Sequence, residues 1–181
     1  MNKNRFLLSG SGGQGVITMG ILLAESAALH EGLTAIQSQS YGPEARGGAT
    51  RCDVLIDNVP ILFPKVLEAN VMVCLTQAAF DKYIQFLRPG GMLITDRTLV
   101  KVPLRVDAEH FALDMHDAVM ERIGKLQVFN ICVLGALVEL TRAVKPESVL
   151  KNLAARFAPA FHDANESAMK LGAELARSCA V

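Results

Sequence analysis

The sequence predicts an α/β fold: three layers, a mainly parallel sheet with one antiparallel hairpin, and a helical C-terminal portion. Three observations carry this expectation. Strand-length apolar runs alternate with helix-length segments over the first two-thirds of the chain. One segment, Thr50 to Asp57, alternates apolar and polar residues and ends in the turn signal Asp57-Asn58. The last third carries no strand signal. With 181 residues the chain is long enough for one well-buried core, and residues 1–181 are expected to form a single domain.

Phe6-Leu7-Leu8 running into Gly10 reads as a short buried strand ending in a glycine turn. Gln14 to His30 is rich in Leu, Ile, Ala and Met, lacks proline and stops at Gly32, as a helix would. It is apolar nearly all round, so more than one side should be covered. Leu33 to Ser38 is a plausible second strand, and strand–glycine loop–helix is the start of a βαβ unit. In Thr50 to Asp57, Cys52, Val54 and Ile56 face one way and Arg51, Asp53 and Asp57 the other, predicting a strand with one wet face. Val59 to Leu62 could return as its hairpin partner, kept short by Pro60 and Pro64.

Val71 to Thr76 is a continuous apolar run suited to a central parallel strand. Gln77 to Leu87 reads as a helix ended by Pro89-Gly90-Gly91, and Met92 to Thr95 as a buried strand with Asp96 at its carboxyl end. Val102 to Val106 is a weak edge strand. Asp107 to Ile123 reads as helical, with Asp107-Ala108-Glu109-His110 as a cap, or as irregular structure. Helices are expected over Val128 to Arg142, from Pro146 to about Phe157, and along the stripe from Phe161 to Cys179.

Charge excludes several functions. Eighteen basic and 18 acidic residues cancel, and no basic run occurs, so neither nucleic acid nor an anionic membrane surface is indicated. Cys52, Cys74, Cys132 and Cys179 show no C-x-x-C spacing, and no metal site is expected. Three of the four sit among apolar neighbours and read as buried thiols of a reducing cytoplasm. No secretory signal is visible, and the longest apolar stretches fall short of the ~20 residues a membrane span needs. A cytoplasmic protein is expected. The mean hydropathy of +0.30 fits a sheet buried on both faces, an apolar surface covered by a partner, or both.

Two glycine-rich loops carry the functional signal. Gly10, Gly12 and Gly15, with Gly13 and Gln14 between them, satisfy G-x-G-x-x-G between a strand and a helix. A dinucleotide would use the tight turn and the helix N-terminus. It also needs an acid ~20 residues on to hold a ribose hydroxyl, and Ile36 to Ser40 contains none. No Gly-Lys-Ser/Thr follows, so this is not a P-loop. A turn that only lets helix and strand pack closely is the other reading. In the second loop, on either side of Gly42, Tyr41 and Pro43 stiffen the chain. Glu44 and Arg46 offer charge, and Gly47 and Gly48 allow close approach. Arg46 could clamp a carboxylate or phosphate, or pair with Glu44 and shape the loop. Both loops follow strands and should gather at the carboxyl edge of the sheet. His30, His110, His116 and His162 are scattered, and Asp96 suits a cap as well as a catalytic role. No nucleophile arrangement is present, and no catalytic residue is assigned to this chain.

Gly10 to Gly15 followed by an Ala/Leu-rich helix, and then Gln39 to Gly48, resemble the gamma subunit of the 2-oxoacid:ferredoxin (acceptor) oxidoreductases. The likeness continues through Asp53 to Ile56, Leu75 to Gln77, Asn130 to Gly135, and Asn165 to Gly172. Tyr-Gly-Pro-Glu-x-Arg-Gly-Gly is its specific part. The resemblance implies one subunit of an enzyme that oxidatively decarboxylates a 2-oxoacid with thiamine diphosphate, reduces ferredoxin through iron–sulfur clusters, and transfers the acyl group to coenzyme A. It places thiamine diphosphate, Mg and the clusters on partner subunits, with no cofactor bound by this chain alone. The loop sequence looks most like 2-oxoglutarate members, with pyruvate and ketoisovalerate members next and the indolepyruvate smaller subunit as the nearest confusion. The resemblance would have Gly10 to Gly15 and Tyr41 to Gly48 face the other subunits near the thiamine site, completing the pocket or holding coenzyme A. The isolated chain would be inactive. A stand-alone nucleotide-binding oxidoreductase and a non-catalytic scaffold remain as alternatives.

Overall fold

The computed structural model describes residues 4–40, 49–103 and 106–179. Six strands form one sheet: β1 (Asn4–Ser11), β2 (Thr34–Ser40), β3 (Ala49–Asp57), β4 (Ala69–Cys74), β5 (Leu87–Asp96) and β6 (Ala108–Leu113). Their order is β2-β3-β1-β4-β5-β6. β3 runs antiparallel to both neighbours, and every other adjacent pair is parallel. Five strands therefore point one way and β3 alone opposes them.

Helices α1 (Val16–His30), α3 (Met115–Arg122), α4 (Phe129–Thr141), α5 (Pro146–Arg156) and α6 (His162–Cys179) cover one face. Their core meets Phe6 and Leu8 of β1, Cys52, Val54 and Ile56 of β3, and Val71 and Val73 of β4. The opposite face is covered by the short helix α2 (Gln77–Tyr83), by residues around Val66 and by Val100. The architecture is the expected three-layer one, with most helices on one side. The all-round apolar character of α1 and α4 follows from this arrangement. Each packs on more than one neighbour, and ten residues of α4 are buried. α4 and α6 cross in backbone contact: a Cβ at Gly172 would lie 1.8 Å from the Cys132 carbonyl, and one at Gly135 would lie 2.2 Å from that of Met169.

Four local expectations are corrected. Residues 58–68 form no strand, because both edges of β3 are already occupied by β2 and β1. The antiparallel hairpin is β2–β3, joined through residues 41–48. The second face of β3 is not wet: Asp53 is 5% exposed, covered by the strap of residues 58–68. Arg51 makes two bonds to the Asp53 carboxylate at 2.7 and 3.0 Å and donates to the Val66 carbonyl, while the Val66 amide donates back to Asp53 at 3.1 Å. Ion pairing and hydrogen bonding thus allow a charged face to be buried.

The helix after β4 stops at Tyr83, a single tighter turn follows at Ile84–Phe86, and Pro89-Gly90-Gly91 lie within β5 rather than in a turn before it. The edge strand beside β5 is Ala108–Leu113; of the expected strand from Val102 to Val106, Val102, Pro103 and Val106 are not in a strand and residues 104–105 lie outside the described residues, and the helix expected from Asp107 begins only at Met115. Phe111 and Leu113 alternate inward, the period of a strand. Among the described residues no helix is long and apolar enough to cross a membrane.

Candidate functional site

The glycine turn joins β1 to α1 at the carboxyl edge of the parallel strands. The Gln14 amide donates to the Ser11 carbonyl at 3.3 Å, closing the turn. Gln14 then folds its side chain inward. Its Oε1 accepts from the Ser11 amide at 2.7 Å, and its Nε2 donates to the Leu75 carbonyl at 3.4 Å, tying the turn to the end of β4. Gly13 and Gly15 sit at φ 90° and 72°, in the left-handed region that favours glycine. The Gly15 carbonyl accepts from Met19 at 2.9 Å to start the helix, and from Asn130 Nδ2 at 3.3 Å.

Gly10 and Gly15 leave no space for side chains. A Cβ at Gly10 would lie 2.5 Å from Gln14 Oε1, and one at Gly15 would lie 2.4 Å from Asn130 Nδ2. Gly12 and Gly13 are exposed with nothing within 4 Å of a built Cβ. Gly15 offers the helix no side-chain cap and its first turn holds no acid, so neither satisfies the leading amides.

Tyr41, Gly42, Pro43, Glu44, Arg46, Gly47 and Gly48 lie outside the described residues. The flanking strands nevertheless fix where that segment leaves and rejoins the sheet. Ser40 pairs with Arg51, Thr50 pairs with Gly10, and Ala49 pairs with Ser11. The second loop therefore rejoins the sheet directly beside the first. Tyr83 of α2 donates its hydroxyl to the Ala49 carbonyl at 2.9 Å, and the Arg51 guanidinium lies 4.5 Å from the Phe86 ring centroid. Arg51, Tyr83, Phe86 and the Asn130 bond to Gly15 were missed as site-shaping groups. Tyr83 and Asn130 bond partners 34 and 115 positions away, whereas Arg51 and its near neighbour Asp53 carry a local signal, as charges on a nominally wet face.

The remaining candidates are structural. Asp96 is fully buried and accepts from the Thr98 amide and hydroxyl, the Leu99 amide and the His116 amide, at 2.7 to 3.2 Å. It caps the chain on both sides of β6, as strand-end Asp commonly does. His116 meets Asp117 at 3.0 Å and packs edge-on against Phe129. His162 bonds the Phe157 carbonyl, and His110 bonds Thr95 with its pKa lowered by burial. Burial pushes the Cys52 thiol up to about 11 and those of Cys74 and Cys132 up to about 12, so none is a nucleophile near neutral pH. Among the described residues no cluster of His, Cys, Asp or Glu could hold a metal ion.

The dinucleotide reading fails on topology as well as on sequence. In a dinucleotide-binding fold the ribose acid ends a strand next to the first. Here β3 lies between β1 and β2, which moves the end of β2 to about 9.6 Å from β1, two strand spacings. The polar groups there also face their own chain: Gln37 donates to Cys52 Sγ, and Ser38 donates to the Pro64 carbonyl. A cavity of about 230 Å³ opens at the other end of β1 from the glycine turn, lined by Asn4, Arg5, Asp57 and Phe63 among others.

An asymmetric three-layer arrangement, with a lone antiparallel strand whose first residues pair with the start of a Gly-rich turn, defines a class of α/β domain distinct from the dinucleotide-binding folds. Residues 5–175 match the pyruvate ferredoxin/flavodoxin oxidoreductase family, and the chain belongs to it. It is 40% identical to the 2-oxoglutarate synthase subunit KorC of Methanocaldococcus jannaschii, over 98% of this chain and 99% of that one. It is 34% identical to the pyruvate/ketoisovalerate oxidoreductases common subunit gamma of Thermococcus litoralis, over 77% and 79% of the two chains. The solved gamma subunit of a keto/oxoacid ferredoxin oxidoreductase from Geobacter sulfurreducens superposes with a TM-score of 0.91 at 36% identity, covering 99% of both chains.

Proposed function

We propose that this chain is the gamma subunit of a 2-oxoacid:ferredoxin oxidoreductase acting on 2-oxoglutarate. The reaction converts a 2-oxoacid, coenzyme A and two oxidised ferredoxins into an acyl-CoA, CO2, a proton and two reduced ferredoxins. The observation that carries the reading is the 40% identity to a 2-oxoglutarate synthase subunit over 98% of this chain and 99% of that one.

Thiamine diphosphate, Mg and the iron–sulfur clusters belong to partner subunits in this reading. The placement of this chain's own thiols supports that division: the four cysteines have no C-x-x-C spacing, and among the described residues none joins a group of three or more His, Cys, Asp or Glu that could hold a metal. This chain supplies one wall of the site between subunits. Gly10 to Gly15 shapes the wall, and Tyr41 to Gly48 extends from it, with Arg46 as the contact for an anionic group of coenzyme A. The protein works in the cytoplasm, where ferredoxin is the acceptor.

Affinity purification from the source cells tests the reading. Thiamine- and cluster-bearing chains should co-purify, and the complex should reduce ferredoxin with 2-oxoglutarate faster than with pyruvate or 2-oxoisovalerate. A chain that purifies alone and turns over a 2-oxoacid unaided would sink it. Arg46→Ala should raise the KM for coenzyme A in the assembled enzyme; an unchanged KM removes the clamp.

A further inference from the structure

Tyr83 ends α2, on the face of the sheet opposite α1 and α4. α2 starts where β4 ends, capped by Thr76, whose hydroxyl accepts from the Ala79 amide at 3.2 Å. It touches β4, β1 and β3. The chain then tightens into a single turn at Ile84–Phe86. Residues three apart eclipse in such a turn, and the Tyr83 and Phe86 rings lie 6.4 Å apart. The Arg51 guanidinium lies 5.8 Å from the first ring centroid and 4.5 Å from the second, and Asp53 holds it through two bonds. The Tyr83 ring is thus fixed in place, and at 8% exposure its hydroxyl is to be bonded inside the protein. Its partner is the Ala49 carbonyl, at 2.9 Å.

That carbonyl lies at a functional position. Ala49 pairs with Ser11 and Thr50 with Gly10, so it belongs to the rung from which the glycine turn departs. On the same rung the Ser11 amide donates to Gln14 Oε1. Asn130 reaches the turn from the α4 face, and Tyr83 reaches its base from the other face. Packing alone does not call for the hydroxyl. Phenylalanine at this position would fill the same space, stack on the same guanidinium and bury no polar group. Ala49 is only half-buried, so water would satisfy its carbonyl without Tyr83. What the hydroxyl adds is a fixed position for the last rung of the ladder.

We infer that Tyr83 is a positioning residue: its hydroxyl fixes the Ser11–Ala49 rung, and through that rung the placement of the Gly10–Gly15 wall in the site that takes coenzyme A. The inference rests on the reading of that turn as one wall of the site between subunits.

Tyr83→Phe tests it at two levels. In the isolated full chain, amide hydrogen exchange at Ser11 and Thr50 should speed up while the melting temperature holds, since the ring and its stack on Arg51 remain. In the assembled enzyme the KM for coenzyme A should rise about three- to tenfold, the loss expected from one hydrogen bond, with kcat and the KM for the 2-oxoacid changed by less than about twofold. A hydroxyl with a merely structural role would instead lower the melting temperature and the active fraction, so that kcat falls and the KM for coenzyme A stays fixed; that result overturns the inference. Unchanged exchange overturns it too, because the bond would then fix nothing. Faster exchange with an unchanged KM for coenzyme A overturns it by separating the rung from the site. A wild-type chain that binds no thiamine-bearing partner defeats the subunit reading itself, and this inference with it, before any variant is compared.

Discussion

Gly15→Ala should destabilise the chain through two separable effects. The first is backbone strain: Gly15 holds φ 72° and ψ 20°, and placing an L-residue there costs about 1–2 kcal/mol. The second is a collision: the new Cβ would lie 2.4 Å from Asn130 Nδ2, so the amide must turn away from the Gly15 carbonyl it bonds at 3.3 Å. Asn130 is 7% exposed, and leaving its donor unpaired costs about 1–3 kcal/mol. The sum is about 2–5 kcal/mol, a large fraction of the stability of an ordinary domain. In a chain of this size that corresponds to a fall of roughly 4–20 °C in melting temperature. Urea denaturation of the full chain, with Asn130→Ala and the double variant, separates the two effects. In the Asn130→Ala background only the strain remains, so the cycle should show about 1–3 kcal/mol of coupling. An additive cycle, or a loss below about 1 kcal/mol for Gly15→Ala alone, would refute the reasoning.

Other outcomes follow from the same geometry. Asp53→Ala leaves the Arg51 guanidinium, 13% exposed at its side chain, without its carboxylate; urea denaturation should show a loss of about 3–5 kcal/mol. Gly172→Ala pushes a methyl group into the Cys132 carbonyl at the crossing of α4 and α6, and the expected cost of about 3 kcal/mol or more should appear as reduced soluble yield and a lowered melting temperature. The thiols give a pH test. Cys52, Cys74 and Cys132 have pKa values raised by burial above the ordinary 9.0, so their contribution is fully present below about pH 9 and is lost as pH rises towards 11 and 12; the urea midpoint should fall over that window. In the native chain at pH 8, iodoacetamide should modify half-buried Cys179 first, with the other three reacting on unfolding, as mass spectrometry can follow.

The parts of the fold legible in the sequence are those set by one segment's own pattern. β1 and β4 are runs buried on both sides of a sheet, and α4 and α6 have helical length and composition. The glycine turn is marked by residues that are themselves constrained. Pairing was less legible, because it depends on partners far away. Nothing local says that β3 inserts between β1 and β2, yet this insertion removes the ribose position of a dinucleotide site. The charged face of β3 looked wet because its cover, the strap around Val66, has no periodicity. β6 looked like a helix cap because Glu109 and His110 are polar and its inward residues are only Phe111 and Leu113. Asn130 stood in a stretch that resembles the family, but its bond to Gly15 spans 115 positions, beyond any local pattern.

The antiparallel strand does more than complete the sheet. If β2 lay beside β1, as in a doubly wound fold, the connection after β2 would leave the glycine turn by way of a crossover. Instead the chain reverses, and β3 returns along the edge of β1. That makes Ala49 and Thr50 the direct partners of Ser11 and Gly10. The exit of one loop and the entrance of the other are thus one ladder, and they cannot move independently. The ladder is pinned from three sides: β4 through Gln14 and Leu75, α4 through Asn130 and Gly15, and α2 through Tyr83 and Ala49.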